Sequence, residues 1–253
     1  MNTICRSLYK LYAPNSLKYR RNVDQCKISD SSILALLICQ AVLGVESQRK
    51  FCEQFSSLSH SRFNRRARML LPLIYQIRHA LNEEVDLSGH ILIIDSFPVP
   101  VCQPVRNHRA KIFRGYADIG YKATKQIYYY GFKVHAIVSD DGYLLDYVVT
   151  PASIHDAKET IELIANARPK NLHQRLMRMG YLLWTPYRKN MKNARKHNNQ
   201  YLMALRRRIE SDFSLLAYYN AENNRARSLA GFQERLEVAI LAYNIAYCLE
   251  RFN

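Results

Sequence analysis

The carboxylates of Asp95 and Glu210 are the strongest candidates for chemistry in this 253-residue sequence. Asp95 ends the run Ile91-Leu92-Ile93-Ile94. Four apolar residues in a row predict a central strand buried on both faces. The acid then stands at its tip, at the edge where α/β sheets place their sites; alternatively it only caps the turn before Pro98. Glu210, in LRRRIESDF, follows Arg206 by four residues and shares its helical face. Such a Glu is either half of a surface ion pair or, if that face meets the strand tip, a second ligand. Two carboxylates then suit a hard cation, since Mg²⁺ takes oxygen donors and typically uses one or two carboxylates together with substrate phosphates.

A phosphate-bearing substrate agrees with the charge. The chain carries 37 Lys and Arg against 21 Asp and Glu, a formal net charge of +16. The excess is clustered in SRFNRRAR (61–68), which contains Arg65 and Arg66, and again over 188–208. The latter stretch holds Arg188, Lys189, Lys192, Arg195, Lys196, Arg206, Arg207 and Arg208 and no acid. Ordinary surfaces intersperse both signs, so clustering of this kind marks a polyanion partner.

The remaining bulk properties exclude several classes. Apolar residues are 48% and charged residues 23% of the chain, as in soluble globular proteins rather than disordered ones. No apolar run approaches the roughly 18 to 20 residues of a membrane span. The N-terminus lacks the apolar core and cleavage site of a secretory signal. The six cysteines form no CxxC pair and are expected to be reduced, mostly buried thiols rather than zinc ligands or disulfides.

The elements that must position the two acids follow from periodicity. Residues 1 to about 85 read as all-helical, with Asp30 or Ser31 as N-cap of DSSILALLICQAVLG and Pro72 kinking or restarting a helix. At Gly89 the pattern becomes extended. IYYYGFKVHAIVSDDGYLLDYVVTP predicts two strands joined at Asp140-Asp141-Gly142. The polar, basic segment 103–126 between the first strand and this hairpin reads as a surface insertion. A helix from about 152 to 167, a second helix, a strand at 181–184, a basic loop, and two long helices complete the chain.

IIDSFPVPV, GFKVHAIVSDDGYLLDYVVTPASIHDAKE, GYLLWTPYRKNMK and RRRIESDFSLL, in that order behind a basic helical region, resemble the DDE transposases of bacterial insertion sequences, nearest the group called IS nine-eighty-two. The resemblance covers nearly the whole chain. It implies an α/β fold, an RNase H-like mixed sheet with flanking helices, over 89–253, preceded by an all-helical DNA-end-binding region over 1–88. It also implies three acids holding two Mg²⁺ ions, with Mn²⁺ as a substitute, for DNA end cleavage and strand transfer. The family's first acid maps onto Asp95, and its Arg-x-x-x-Glu helix onto Arg206 and Glu210. A Tyr before that Arg and a Lys after that Glu are common in relatives; Met203 and Ala217 stand there instead.

The second acid of the family belongs to a Gly-Asp-x-Gly-Tyr motif between the two middle helices, yet no Asp occurs from Ala157 through Tyr181. The helix ending near Ala167 runs through only Arg168 to Asn171 into the next one. At about 3.3 Å per residue, four residues are too few for a buried strand and both its connections. An internal deletion of one strand accounts for this. The site is then impaired, with at best one weakly held cation, and Ile91 to Asp95 is left either with an unpaired side or paired directly with 181–184. Among substitutes, Asp156 reads as a helix cap, and Asp118, Asp140 and Asp141 read as exposed; His135 and His155 read as structural or phosphate-facing. The expected partner is transposon-end and target DNA, contacted by Arg65, Arg66, Arg188, Lys189, Lys192 and Arg206, with Trp184, Tyr116 and Tyr121 beside the active edge. A homodimer or a mixed dimer with an intact relative is also expected, in a bacterial cytoplasm at the nucleoid. A non-catalytic DNA-binding remnant or inhibitor is the alternative. A nuclease or RNA-binding protein of the same fold fits the charge but not the ordered motifs.

Overall fold

The computed structural model describes residues 1–86, 88–122, 126–154 and 192–251. Six helices come first: α1 (Asn2–Tyr12), α2 (Asn15–Lys18), α3 (Asp30–Val42), α4 (Gln48–Phe55), α5 (His60–Met69) and α6 (Leu71–Glu84). The expected helical start is therefore present. Pro72 sits in the first turn of α6, where its missing N–H costs no helical bond. The N-cap of α3 is Ser29 rather than Asp30 or Ser31, because the Ser29 side chain accepts the Ser32 N–H. Asp30 turns inward and is buried, paired with both Arg20 and Arg66.

Four strands follow: β1 (Leu92–Pro100), β2 (Asp118–Lys122), β3 (Ile127–Ser139) and β4 (Leu144–Pro151). β3 is central, with β1 along one side and β2 then β4 along the other. Every pairing among the described residues is antiparallel, compatible with the RNase H-like sheet that the resemblance implies. The strand expected at 181–184 and the helices and joint expected over 155–180 lie outside the described residues. The predicted hairpin is present between β3 and β4. Gly142 supplies the positive φ of its turn, +103°, and its N–H bonds the Ser139 carbonyl at 2.9 Å.

β1 departs from the expected central strand. It continues five residues past Asp95, and Ile91 to Ile94 are half-buried rather than enclosed on both faces. Among the described residues its one partner is β3. The segment 103–126 is also more than a surface insertion: it provides β2 and the buried ring of Phe113, which meets Phe132 and Phe232.

After a short helix α7 (Ala194–His197), the long helices α8 (Gln200–Tyr218) and α9 (Leu229–Arg251) close the described chain. One apolar core joins the N-terminal helices, one face of the sheet, α8 and α9. Its contributors from the sheet include Phe97 and Val99 of β1, Phe132, Val134, Ala136 and Val138 of β3, alternating as one face must, and Leu144 of β4. A buried polar tie crosses the same junction. Arg78 of α6 donates to Glu237 of α9 at 3.1 Å and to the Leu145 carbonyl of β4 at 3.1 Å, while Tyr147 donates to the other Glu237 oxygen at 2.5 Å. No helix of the described residues is long and apolar enough to cross a membrane.

Candidate active site

Alternation along β1 puts Ile93, Asp95, Phe97 and Val99 on one face. α8 lies over that face, and the Phe97 and Phe213 rings meet with centroids 4.9 Å apart. From Phe213, one and two turns back along α8, come Glu210 and Arg206, on the same stripe of the helix. Arg206 Nε lies 3.9 Å from Asp95 Oδ2, so the sheet and the arginine-rich helix do bring the first candidate acid beside the Arg-x-x-x-Glu motif. At that separation the two attract as charges rather than through a hydrogen bond. Asp95 Oδ1 also accepts the Ser96 N–H at 2.8 Å. The Asp95 side chain is 28% exposed and that of Arg206 51%; Glu210 is exposed.

Asp95 stands in the middle of a strand, fourth of nine residues, rather than at a tip. Its position is set by the apolar residues that follow it, Phe97 and Val99, which bury the far half of β1 under α8. Toward a divalent cation, the local donor set fits in kind, because Asp95 and Glu210 offer oxygens alone. Among the described residues, no group of three or more His, Cys, Asp or Glu with mutually close donor atoms includes either of them. The place where the family's second acid is expected, 157–181, lies outside the described residues, as does Asp156.

One such group exists elsewhere: His90, Asp140 and Asp141. His90 Nδ1 is 2.6 Å from Asp140 Oδ1 and 3.7 Å from Asp141 Oδ2. The two acids are half-buried, which corrects their expected exposure. Asp141 is already engaged, accepting from Tyr247 O–H at 2.5 Å and from Ser139 Oγ. This group closes the hairpin turn against the start of β1 and against α9. Ile91, whose carbonyl accepts the Asp140 N–H, is four residues and about 13 Å of strand from Asp95, so the cluster is separate from the Asp95 site. Asp212, two residues beyond Glu210, points to the same turn, where it accepts from Tyr243 O–H at 3.2 Å; burial raises its pKa. Asp118 is exposed, as expected. His135 is buried and bonded to Thr150 Oγ1 at 3.0 Å, a structural placement.

The basic residues separate into two kinds. Arg65 and Lys192 are exposed. Arg66 is not available in the same way: its guanidinium pairs with buried Asp30 and bonds the Ile28 carbonyl at 2.5 Å. In this place it joins α5 to α3, a role hidden in a run of arginines that all look alike. Arg188 and Lys189, with Trp184 and His155, lie outside the described residues. Sequence reasoning put Arg206 on the face of Glu210 but did not pair it with Asp95. Only the packing of α8 over β1 joins them, and no signal local to either segment encodes that.

Comparison with known proteins agrees with this arrangement. The family described as transposase DDE domain matches residues 86–229, which is more than half of the chain and contains both Asp95 and Glu210. No curated protein and no solved structure matches. The described residues form a four-stranded antiparallel sheet flanked by helices behind a helical N-terminus, with Asp95 set under α8, and the chain belongs to the DDE transposase domain family.

Proposed function

We propose that this protein descends from an insertion-sequence transposase of the IS nine-eighty-two group that cleaves DNA ends and transfers strands, and that an internal deletion has impaired its catalysis. The observation that carries the impairment is the absence of any Asp from Ala157 through Tyr181. Asp95 and Glu210 are the remaining site acids on this reading. Mg²⁺ held by them, or Mn²⁺ in its place, would lend positive charge to a phosphodiester under attack. Arg206 keeps the Asp95 carboxylate partnered and has to swing aside, or onto a phosphate, for a cation to be held there.

DNA remains the partner. Residues 1–88 are assigned to end recognition, with Arg65 as a contact and Arg66 as an internal support. Arg188, Lys189, Lys192 and Arg206 are assigned to the backbone beside Asp95. The protein acts in the bacterial cytoplasm at the nucleoid, as a homodimer or in mixed dimers. A second reading, a non-catalytic remnant that occupies ends and inhibits an intact relative, is favoured by the 3.9 Å approach of Arg206 to Asp95, which a full metal site would not need. Inserting a Gly-Asp-x-Gly-Tyr strand after Pro169 separates the two. Gain of Mg²⁺-dependent end cleavage supports the impaired enzyme. An inserted chain that binds ends and still never cleaves supports the remnant. Failure of the unmodified chain to bind duplex DNA at low salt overturns both.

A further inference from the structure

A cavity of about 460 Å³ opens between α5 and the start of α9. Arg68 lines it from α5, Arg225 and Arg227 from the loop that enters α9, and Arg235 from the second turn of α9. No acid lines it. Arg225 is matched by Glu46, with which it pairs. Burial lowers the pKa of Arg235, the neighbouring Glu234 opposes that shift, and Arg68 adds a smaller like-charge effect in the same direction as burial. Glu234 lines a neighbouring cavity that Arg235 lines as well, and its own burial favours the neutral carboxyl. Guanidiniums crowded in this way are stabilised by an anion set between them.

The backbone adds to the same field. Ser228 caps α9, its Oγ accepting the Gly231 N–H at 3.3 Å and its carbonyl the Phe232 N–H at 2.8 Å. The positive end of a 23-residue helix therefore faces the cavity. Gly231 keeps the floor open: a Cβ there would stand 3.1 Å from Ser228 Oγ and 3.9 Å from Arg68 Nε. On α5, Arg62 and Arg65 precede Arg68 at three-residue spacing, and all three are exposed. They form one row on the helix leading to the cavity, which suits a polymer of phosphates better than a single small anion.

We propose that this cavity is a phosphate site that holds one backbone phosphate of duplex DNA, with the arginine row of α5 following the strand away from it. The inference rests on the DNA-binding reading above. It places an anchoring contact on the C-terminal helix, so that end binding engages both parts of the chain, across the junction tied by Arg78 and Glu237.

The test is the salt dependence of duplex DNA affinity for the full chain and for Arg68→Gln and Arg227→Gln, two exposed positions. Arg49→Gln, on α4 and paired with Glu53, is the control for removing one surface charge. Thermal melts confirm that each variant folds. Each cavity variant is expected to reduce the log–log slope by about 0.9, the loss of one phosphate contact, with the control unchanged. Inorganic phosphate is titrated in parallel by thermal shift. Variants that keep the wild-type slope overturn the site while leaving DNA binding intact. Variants that lose only stabilisation by inorganic phosphate assign the cavity to a free anion and overturn the DNA contact. A wild-type chain that binds no duplex overturns the inference together with the reading beneath it.

Discussion

Glu234 offers a test of the core that requires no DNA. Its side chain is 1% exposed, and neither carboxyl oxygen has a hydrogen-bond partner. Burial raises its pKa from 4.5 to about 7. The sign follows directly. Below the unfolded value the group is neutral in both states and contributes nothing. As pH rises from 4.5 toward about 7, the unfolded chain releases the proton while the folded chain retains it, so stability falls; above that range the loss is constant. A gap of this size corresponds to roughly 3 kcal/mol at pH 8. Glu234→Gln matches the neutral carboxyl in shape and does not ionise. Urea unfolding should therefore find the variant equal to wild type near pH 4.5 and more stable by roughly 3 kcal/mol at pH 8. A variant that is no more stable at pH 8, or that shows the same difference at both pH values, would refute the reasoning and mean that Glu234 is charged and paired.

Two further perturbations address the scaffold of the site. Arg78→Met removes one partner of a buried pair and leaves Glu237, wholly buried, with Tyr147 as its neutral donor; chemical denaturation should show a loss of about 3 to 5 kcal/mol, and a loss below about 1 kcal/mol would mean the tie is dispensable. Gly131→Ala, in the middle of β3, places a Cβ against the Val99 carbonyl and should loosen the β1 pairing, costing about 1 to 3 kcal/mol and increasing amide exchange along β1; unchanged exchange there would contradict the close approach.

Much of the fold was legible because local signals agreed with one another. The helix breaks at Pro72 and the hairpin at Gly142 are residues with one structural use each, and the long apolar stripes of α8 and α9 have one period. What failed depended on packing at a distance. The apolar run before Asp95 suggested a strand enclosed on both faces, yet β1 extends to Pro100, with its buried part formed by Phe97 and Val99 beyond the acid. Arg66 reads like its neighbours, but a single residue's step of about 100° around α5 separates the exposed Arg65 from Arg66, which pairs with Asp30. Asp140 and Asp141 look exposed in a polar turn; α9, far along the chain, covers them through Tyr247. Likewise nothing near Asp95 in sequence announces Arg206, which arrives only when α8 crosses β1.

The proposed loss of the second acid is what separates descent from activity. The most direct measurement is Mg²⁺-dependent cleavage of transposon-end DNA by the unmodified chain, beside Asp95→Ala under the same conditions. The prediction is that both give the same background while both still bind the DNA. Efficient cleavage by the unmodified chain, abolished by Asp95→Ala, would show an intact site and contradict the proposal that the deletion has impaired it.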